Sequence, residues 1–184
     1  VCNLPKSLKK IGYGAFQKGY TKIVNFAPGT SIESLGYYIF QNCSKLEEVN
    51  NLPQNLKTIP DYMFNGCSEL KSLVLPEGLT TIGTEAFKNC QKLVSLNIPT
   101  SVTTIGKDAF YRCSKWEGEV SLPLDTELPE NAFTWCKMLR KMSLGPQLKT
   151  IRSSALDGCS GLTELILPNG LETIEVDAFY NCSS

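Results

Sequence analysis

Histidine is absent from this chain of 184 residues. That removes the commonest proton shuttle at neutral pH and the commonest metal ligand. The chain has no C-x-x-C pair, so its eight cysteines offer no zinc-finger spacing. It lacks a G-x-S-x-G element and a glycine-rich phosphate loop after a strand. Net charge is also missing, with 18 basic and 18 acidic residues interspersed. This argues against a nucleic-acid footprint or a polybasic membrane patch. No apolar run approaches the ~20 residues of a membrane span, and no signal peptide is visible. Catalysis is poorly supported, because acid–base work needs carboxylates of shifted pKa in a pocket. Glu47-Glu48 is a lone acidic pair that reads as a solvated stretch. No cofactor is implied.

What the chain does contain is one stretch repeated. Leu70–Cys90 reads LKSLVLPEGLTTIGTEAFKNC. Leu73 and Leu75, two apart, point to one face of an extended strand, with Ser72 and Val74 on the other. Pro76 cannot donate to a ladder and ends the strand. Leu79 and Ile82, three apart, predict a tight turn or short helical arc. Ala86, Phe87 and Cys90 follow at helical spacing, with Glu85 and Lys88 placed to suit a helix dipole.

The Phe87 position recurs as Phe16, Phe40, Phe64, Phe110, Phe133, Leu156 and Phe179, at intervals of 24 and then 23 residues. The Ile82 position recurs as Ile11, Leu35, Ile59, Ile105, Leu128, Ile151 and Ile174. The Cys90 position reads Gly19, Cys43, Cys67, Cys113, Cys136, Cys159 and Cys182. Eight of the ten prolines fill the strand-ending position. A unit this small cannot bury its own apolar face and needs copies beside it. The period slips in repeats two and three, and in repeat six around Glu117 and Gly118, where Leu124 stands in for Asp125. The glycine after Ile82 recurs at Gly12, Gly36 and Gly106, but Pro60, Pro129, Arg152 and Glu175 replace it elsewhere.

The pattern L-x-x-L-x-L-P followed by L-x-x-I-G-x-x-A-F-x-x-C resembles the BspA-like leucine-rich repeats of the Treponema pallidum type, over the whole chain. The resemblance implies an α/β solenoid of about eight 23–24-residue units. It would be right-handed, with a parallel sheet on the concave side and short helices or turns on the convex side. It implies a surface or secreted protein, in a family that includes many adhesins, and brings no catalytic residues. With strands ~4.8 Å apart, eight units stack to roughly 40 Å. Residues 1–184 form one domain. Both ends lack the polar caps of solenoids, so the chain reads as a segment of a longer array whose bare ends invite end-to-end self-association.

Seven cysteines form one column and read as small core hydrophobes. Cys2 aligns with Leu73 and Trp116 with Leu70, both inward. The sequons at Asn42 and Asn181 fall on the repeat consensus and read as accidental. Asn3, Asn25, Asn50, Asn97, Ser121 and Ser143 share the outward Val74 column. They make either a polar recognition strip or a solvated face of mutually bonded asparagines. Beside it run Ile23, Glu48, Ser72, Ser95, Glu119, Lys141 and Glu164. The candidate partner-binding set is Asn25, Glu48, Asn50, Ser72, Asn97, Glu119, Ser121, Lys141, Ser143 and Glu164. Variable side chains on a fixed scaffold suit a protein or extended peptide lying on the concave face. A rival patch is Tyr13, Tyr37, Tyr38 and Tyr62. The expected role is a non-enzymatic recognition or adhesion module; a structural spacer and an intracellular adaptor are the alternatives.

Overall fold

A computed structural model describes residues 1–124 and 126–183. The chain coils into a parallel-sheet solenoid of the leucine-rich-repeat type. Eight copies of the phenylalanine position, from Phe16 to Phe179, are separated by seven turns. The predicted strand column forms the principal sheet. Cys2–Leu4 pairs in parallel with Ile23–Phe26, and that with Glu48–Asn50. Single bridges continue through Ser72 and Ser95. Gly118–Leu122, Leu139–Leu144 and Glu164–Ile166 form the last part. Alternation works as expected: Leu73 and Leu75 are buried, while Val74 is 78% exposed.

The arc predicted around Leu79 and Ile82 is instead a second ladder of two-residue strands. Thr81–Ile82 pairs with Thr58–Ile59 on one side and Thr104–Ile105 on the other. This ladder breaks twice among the described residues, before Thr58–Ile59 and before Glu127–Leu128. Proline explains both places. In intact turns the residue after the isoleucine donates its N–H one coil back, as Gly83 does to Ile59 and Gly106 to Ile82. Pro60 and Pro129 occupy that position and have no N–H to give. Glycine there serves close approach rather than φ freedom. A Cβ on Gly36 or Gly106 would run into the main chain of the preceding coil.

The largest departure from expectation lies on the remaining side. Where the Ala86–Cys90 spacing predicts a short helix, the described residues contain no helix, and the α/β description is corrected to an all-β coil with turns. Two columns of residues hold left-handed backbone. The first is Gly14, Tyr38, Tyr62, Glu85, Asp108, Asn131, Ser154 and Asp177, with φ between 53° and 60°. The second, four residues on, is Lys18, Asn42, Gly66, Asn89, Arg112, Trp135, Gly158 and Asn181. A right-handed helix cannot pass through either position. The segment therefore divides its hydrogen bonds. Ala86, Lys88 and Cys90 donate three residues back, whereas Glu85, Phe87 and Asn89 donate to Lys107, Ala109 and Tyr111 of the next coil at 2.8–2.9 Å.

Two side-chain columns fill the space inside. Phe16, Phe40, Phe64, Phe87, Phe110 and Phe133 stack with ring centroids 5.0–5.6 Å apart. Trp116, buried as expected, meets Phe110 edge-on at 5.0 Å. Cys43 to Cys159 are buried free thiols, and Cys2 and Cys182 are free and half-buried. Each thiol from Cys43 to Cys159 donates to the carbonyl of the phenylalanine one coil back, at 2.8–3.3 Å, and Cys182 donates to Leu156 at 3.2 Å. Cysteine is thus a small apolar side chain with one weak donor, placed where a main-chain oxygen needs a second bond. Leu124 is buried, so repeat six keeps its core; Asp125 lies outside the described residues.

Two outcomes follow. Ser154→Gly should raise stability by about 0.5–1 kcal/mol, because glycine relieves left-handed backbone. In a helix the same change would lower it by a similar amount, so chemical denaturation separates the two geometries. Burial pushes the thiols of Cys67, Cys90, Cys113, Cys136 and Cys159 far above their ordinary value. In the unfolded chain they ionise near pH ~8.5. Their protonated state then stabilises the fold fully below that pH, and each costs ~1.4 kcal/mol per pH unit above it. Alkylation should be slow in the folded protein and complete in denaturant, and stability should drop from pH ~9 upward. Fast native labelling of most thiols would contradict the burial.

Candidate binding surface

The outward face of the principal sheet carries all ten candidate residues, but not as one site. Near the start of the chain, the Asn25 amide donates to Asn3 at 2.8 Å and the Asn50 amide to Asn25 at 2.9 Å. Asn3, Asn25 and Asn50 thus bond to one another along this part of the face. Val74 interrupts the column. Glu48 and Ser72 stand exposed beside it. Glu47, read as a solvated residue, is held by Lys71 at 2.7 Å and Lys22 at 3.7 Å. The Lys71 bond lowers the Glu47 carboxyl from its ordinary value. Exposed pairs of this kind contribute little to stability.

Further along, the sheet opens. Repeat six has one residue more than its predecessor between the core positions Trp116 and Val120, and Gly118 takes it up with φ at 89°. Glu117 still donates to Val94 at 2.9 Å. Beyond it, no backbone hydrogen bond joins residues 95–98 to 118–122 among the described residues. The two halves of the sheet part there around a cavity of about 150 Å³. Asn97, Glu119, Ser121, Lys141 and Ser143 line it over a floor of Leu96, Ile98 and Val120. Five of the ten candidates thus converge. Lys141 also reaches Glu164 at 3.0 Å. Glu164, with Glu119 beyond it, raises the ammonium above its ordinary value and keeps it charged. The side chains of Asn97, Glu119, Ser121 and Ser143 make no hydrogen bond within the described residues, so amide, carboxylate and hydroxyl groups face solvent unspent.

The tyrosine patch divides. Tyr13, Tyr38 and Tyr62 form a stack with centroids 5.0 and 4.4 Å apart. Desolvation and the neighbouring rings raise the Tyr38 phenol from its ordinary value. Tyr37 stands apart, 54% exposed. On the turn side, Lys137 lies over Trp135 at 4.9 Å. No group of three or more histidine, cysteine or carboxylate side chains poised for a metal occurs among the described residues. No described helix is long and apolar enough to cross a membrane.

The coil with its stacked phenylalanines, thiol column and strand-ending prolines defines a leucine-rich repeat protein. The chain matches the BspA type leucine rich repeat region, in six copies, over residues 2–117 and 120–184, and it belongs to that family. It is similar to a leucine-rich repeat protein from Bacteroides ovatus, 37% identical with a TM-score of 0.82. That match covers 91% of this chain and 43% of the Bacteroides chain, so this chain spans less than half that length. The Treponema pallidum leucine rich repeat protein is 28% identical, with a TM-score of 0.73 over 84% of this chain and 71% of its own. The pneumococcal vaccine antigen PcpA is 28% identical, with a TM-score of 0.66 over 98% and 53%. No curated protein matches.

Proposed function

We propose that the chain is a non-enzymatic protein-binding module of a surface or secreted leucine-rich repeat protein. A protein or extended peptide lies along the outward face of the principal sheet, taken as the concave side, and is anchored in the seam at Asn97, Glu119, Ser121, Lys141 and Ser143. The observation that carries this reading is the unspent polarity of that cavity, set in a rigid frame. Rigid donors and acceptors cost little to order on binding. The Asn25–Asn50 ladder flanks the site rather than forming it. The surface assignment rests on family membership and on similarity to a vaccine antigen. A spacer needs no such cavity, so the seam favours recognition over spacing.

The test compares three variants against a partner captured by the immobilised wild-type chain. Asn97→Ala/Glu119→Ala/Ser143→Ala should weaken binding roughly 100-fold, at about 1 kcal/mol for each hydrogen bond lost. Asn25→Ala/Asn50→Ala should change it less than ~5-fold. Loss only in Tyr13→Ser/Tyr38→Ser/Tyr62→Ser would place the site on the tyrosine stack and refute the seam.

A further inference from the structure

The break before Thr58–Ile59 leaves more than a missing bond. A cleft of about 660 Å³ opens there between the second and third coils. It lies on the second ladder, not on the principal sheet, and its use does not depend on the reading above. One bank presents Glu33–Leu35 and the rim residue Tyr37; the other presents Lys57, Thr58 and Pro60. In intact turns the carbonyl equivalent to Glu33 accepts an N–H from the next coil. Lys9 does so from Glu33 and Ser34, and Lys57 from Thr80 and Thr81. Here the Lys57 and Thr58 N–H groups make no such bond to Glu33. The Leu35 carbonyl has no donor facing it, because Pro60 lacks one. Among the described residues, acceptors without a partner thus stand on one bank and donors without one on the other.

The upper end of the same gap is bridged by a side chain. The Asn55 side-chain amide accepts from the Ile32 N–H at 3.1 Å and donates to the Ile32 carbonyl at 2.7 Å. One planar amide, carried by the third coil, thus satisfies both main-chain groups of Ile32, which no main-chain partner reaches across the gap. The cleft continues from that amide along the chain direction. Of its charged side chains, Lys57 is turned onto the Gly78 carbonyl at 3.2 Å. Glu33 has one oxygen 3.6 Å from Lys9, and Asp61 accepts the Thr84 N–H at 2.8 Å through Oδ1, which leaves the second oxygen of each carboxylate on the walls.

We infer that this cleft binds an extended peptide segment of a partner protein, carrying a basic side chain. The segment enters the broken ladder as an added strand, donating to Glu33 and Leu35 and accepting from Thr58. Tyr37 covers it at the rim, and the carboxylates take the basic side chain. Strand addition to an open ladder draws affinity from main-chain bonds and specificity from alternate side chains.

The test uses a displayed library of random ten-residue peptides, selected on the wild-type chain and counter-selected on Pro60→Gly. That substitution restores the glycine of four other coils and the N–H that closes the ladder. Enriched peptides should be rich in Lys or Arg and shift the Leu35, Lys57 and Thr58 amides in NMR spectra. They should bind Pro60→Gly and Tyr37→Ser at least tenfold more weakly. Asn97→Ala/Glu119→Ala should bind them as wild type does, which keeps this site separable from the seam. Three results would overturn the inference: no peptide that distinguishes Pro60→Gly, a footprint on the seam or the tyrosine stack, or a cleft shifted by self-association without peptide.

Discussion

The structure depends on one hydrogen bond made again and again. The phenylalanine N–H of each coil donates to the carbonyl one coil further on, from Phe16–Ile39 to Leu156–Ala178, at 2.8–2.9 Å throughout. Left-handed residues on both sides of the phenylalanine turn this N–H, and two more, out of the coil and towards its neighbour. Those bonds hold the coils at one spacing. That spacing lets the rings stack at 5.0–5.6 Å and brings each thiol to the carbonyl behind it. Every coil is completed only by its neighbour, so stability is carried along the axis in nearest-neighbour steps.

Much of this was legible in the residues, because burial imposes type. Phe, Cys, Ile and Pro recur where the core or the strand end narrows the choice, with Gly19, Leu35, Leu128 and Leu156 as the exceptions in the core columns. The turn geometry was hidden because a coil with Ala86, Phe87 and Cys90 inward has the same spacing as a helix. Its true signal was the composition of the two left-handed columns. Gly14, Asp108, Asn131 and Asp177 in one, and Asn42, Gly66, Asn89, Gly158 and Asn181 in the other, are residues that tolerate positive φ. Tyr38, Glu85 and Trp135 in the same columns masked it. The second ladder was hidden for a related reason: a strand of two residues is too short to show alternation.

The candidate sites were legible as columns but not as places. Ten outward residues could be named from the repeat, yet only five gather at one cavity. What gathers them is the extra residue in repeat six and the glycine that absorbs it. The cleft in the second ladder has the same origin, a departure from the repeat at Pro60. In a structure whose regular positions are committed to packing, irregular ones leave main-chain groups and polar side chains unspent. Those groups are what a partner can use.

The most direct test of the central claim is native-state hydrogen exchange at single-residue resolution. The account predicts that the amides of Phe64, Phe87, Phe110 and Phe133 exchange only through large-scale unfolding, as slowly as the amides of the principal sheet. A helix-free turn on the surface would otherwise exchange readily. If these amides exchanged like exposed turns while the sheet remained protected, the coils would not be held together on this side, and the account would be wrong.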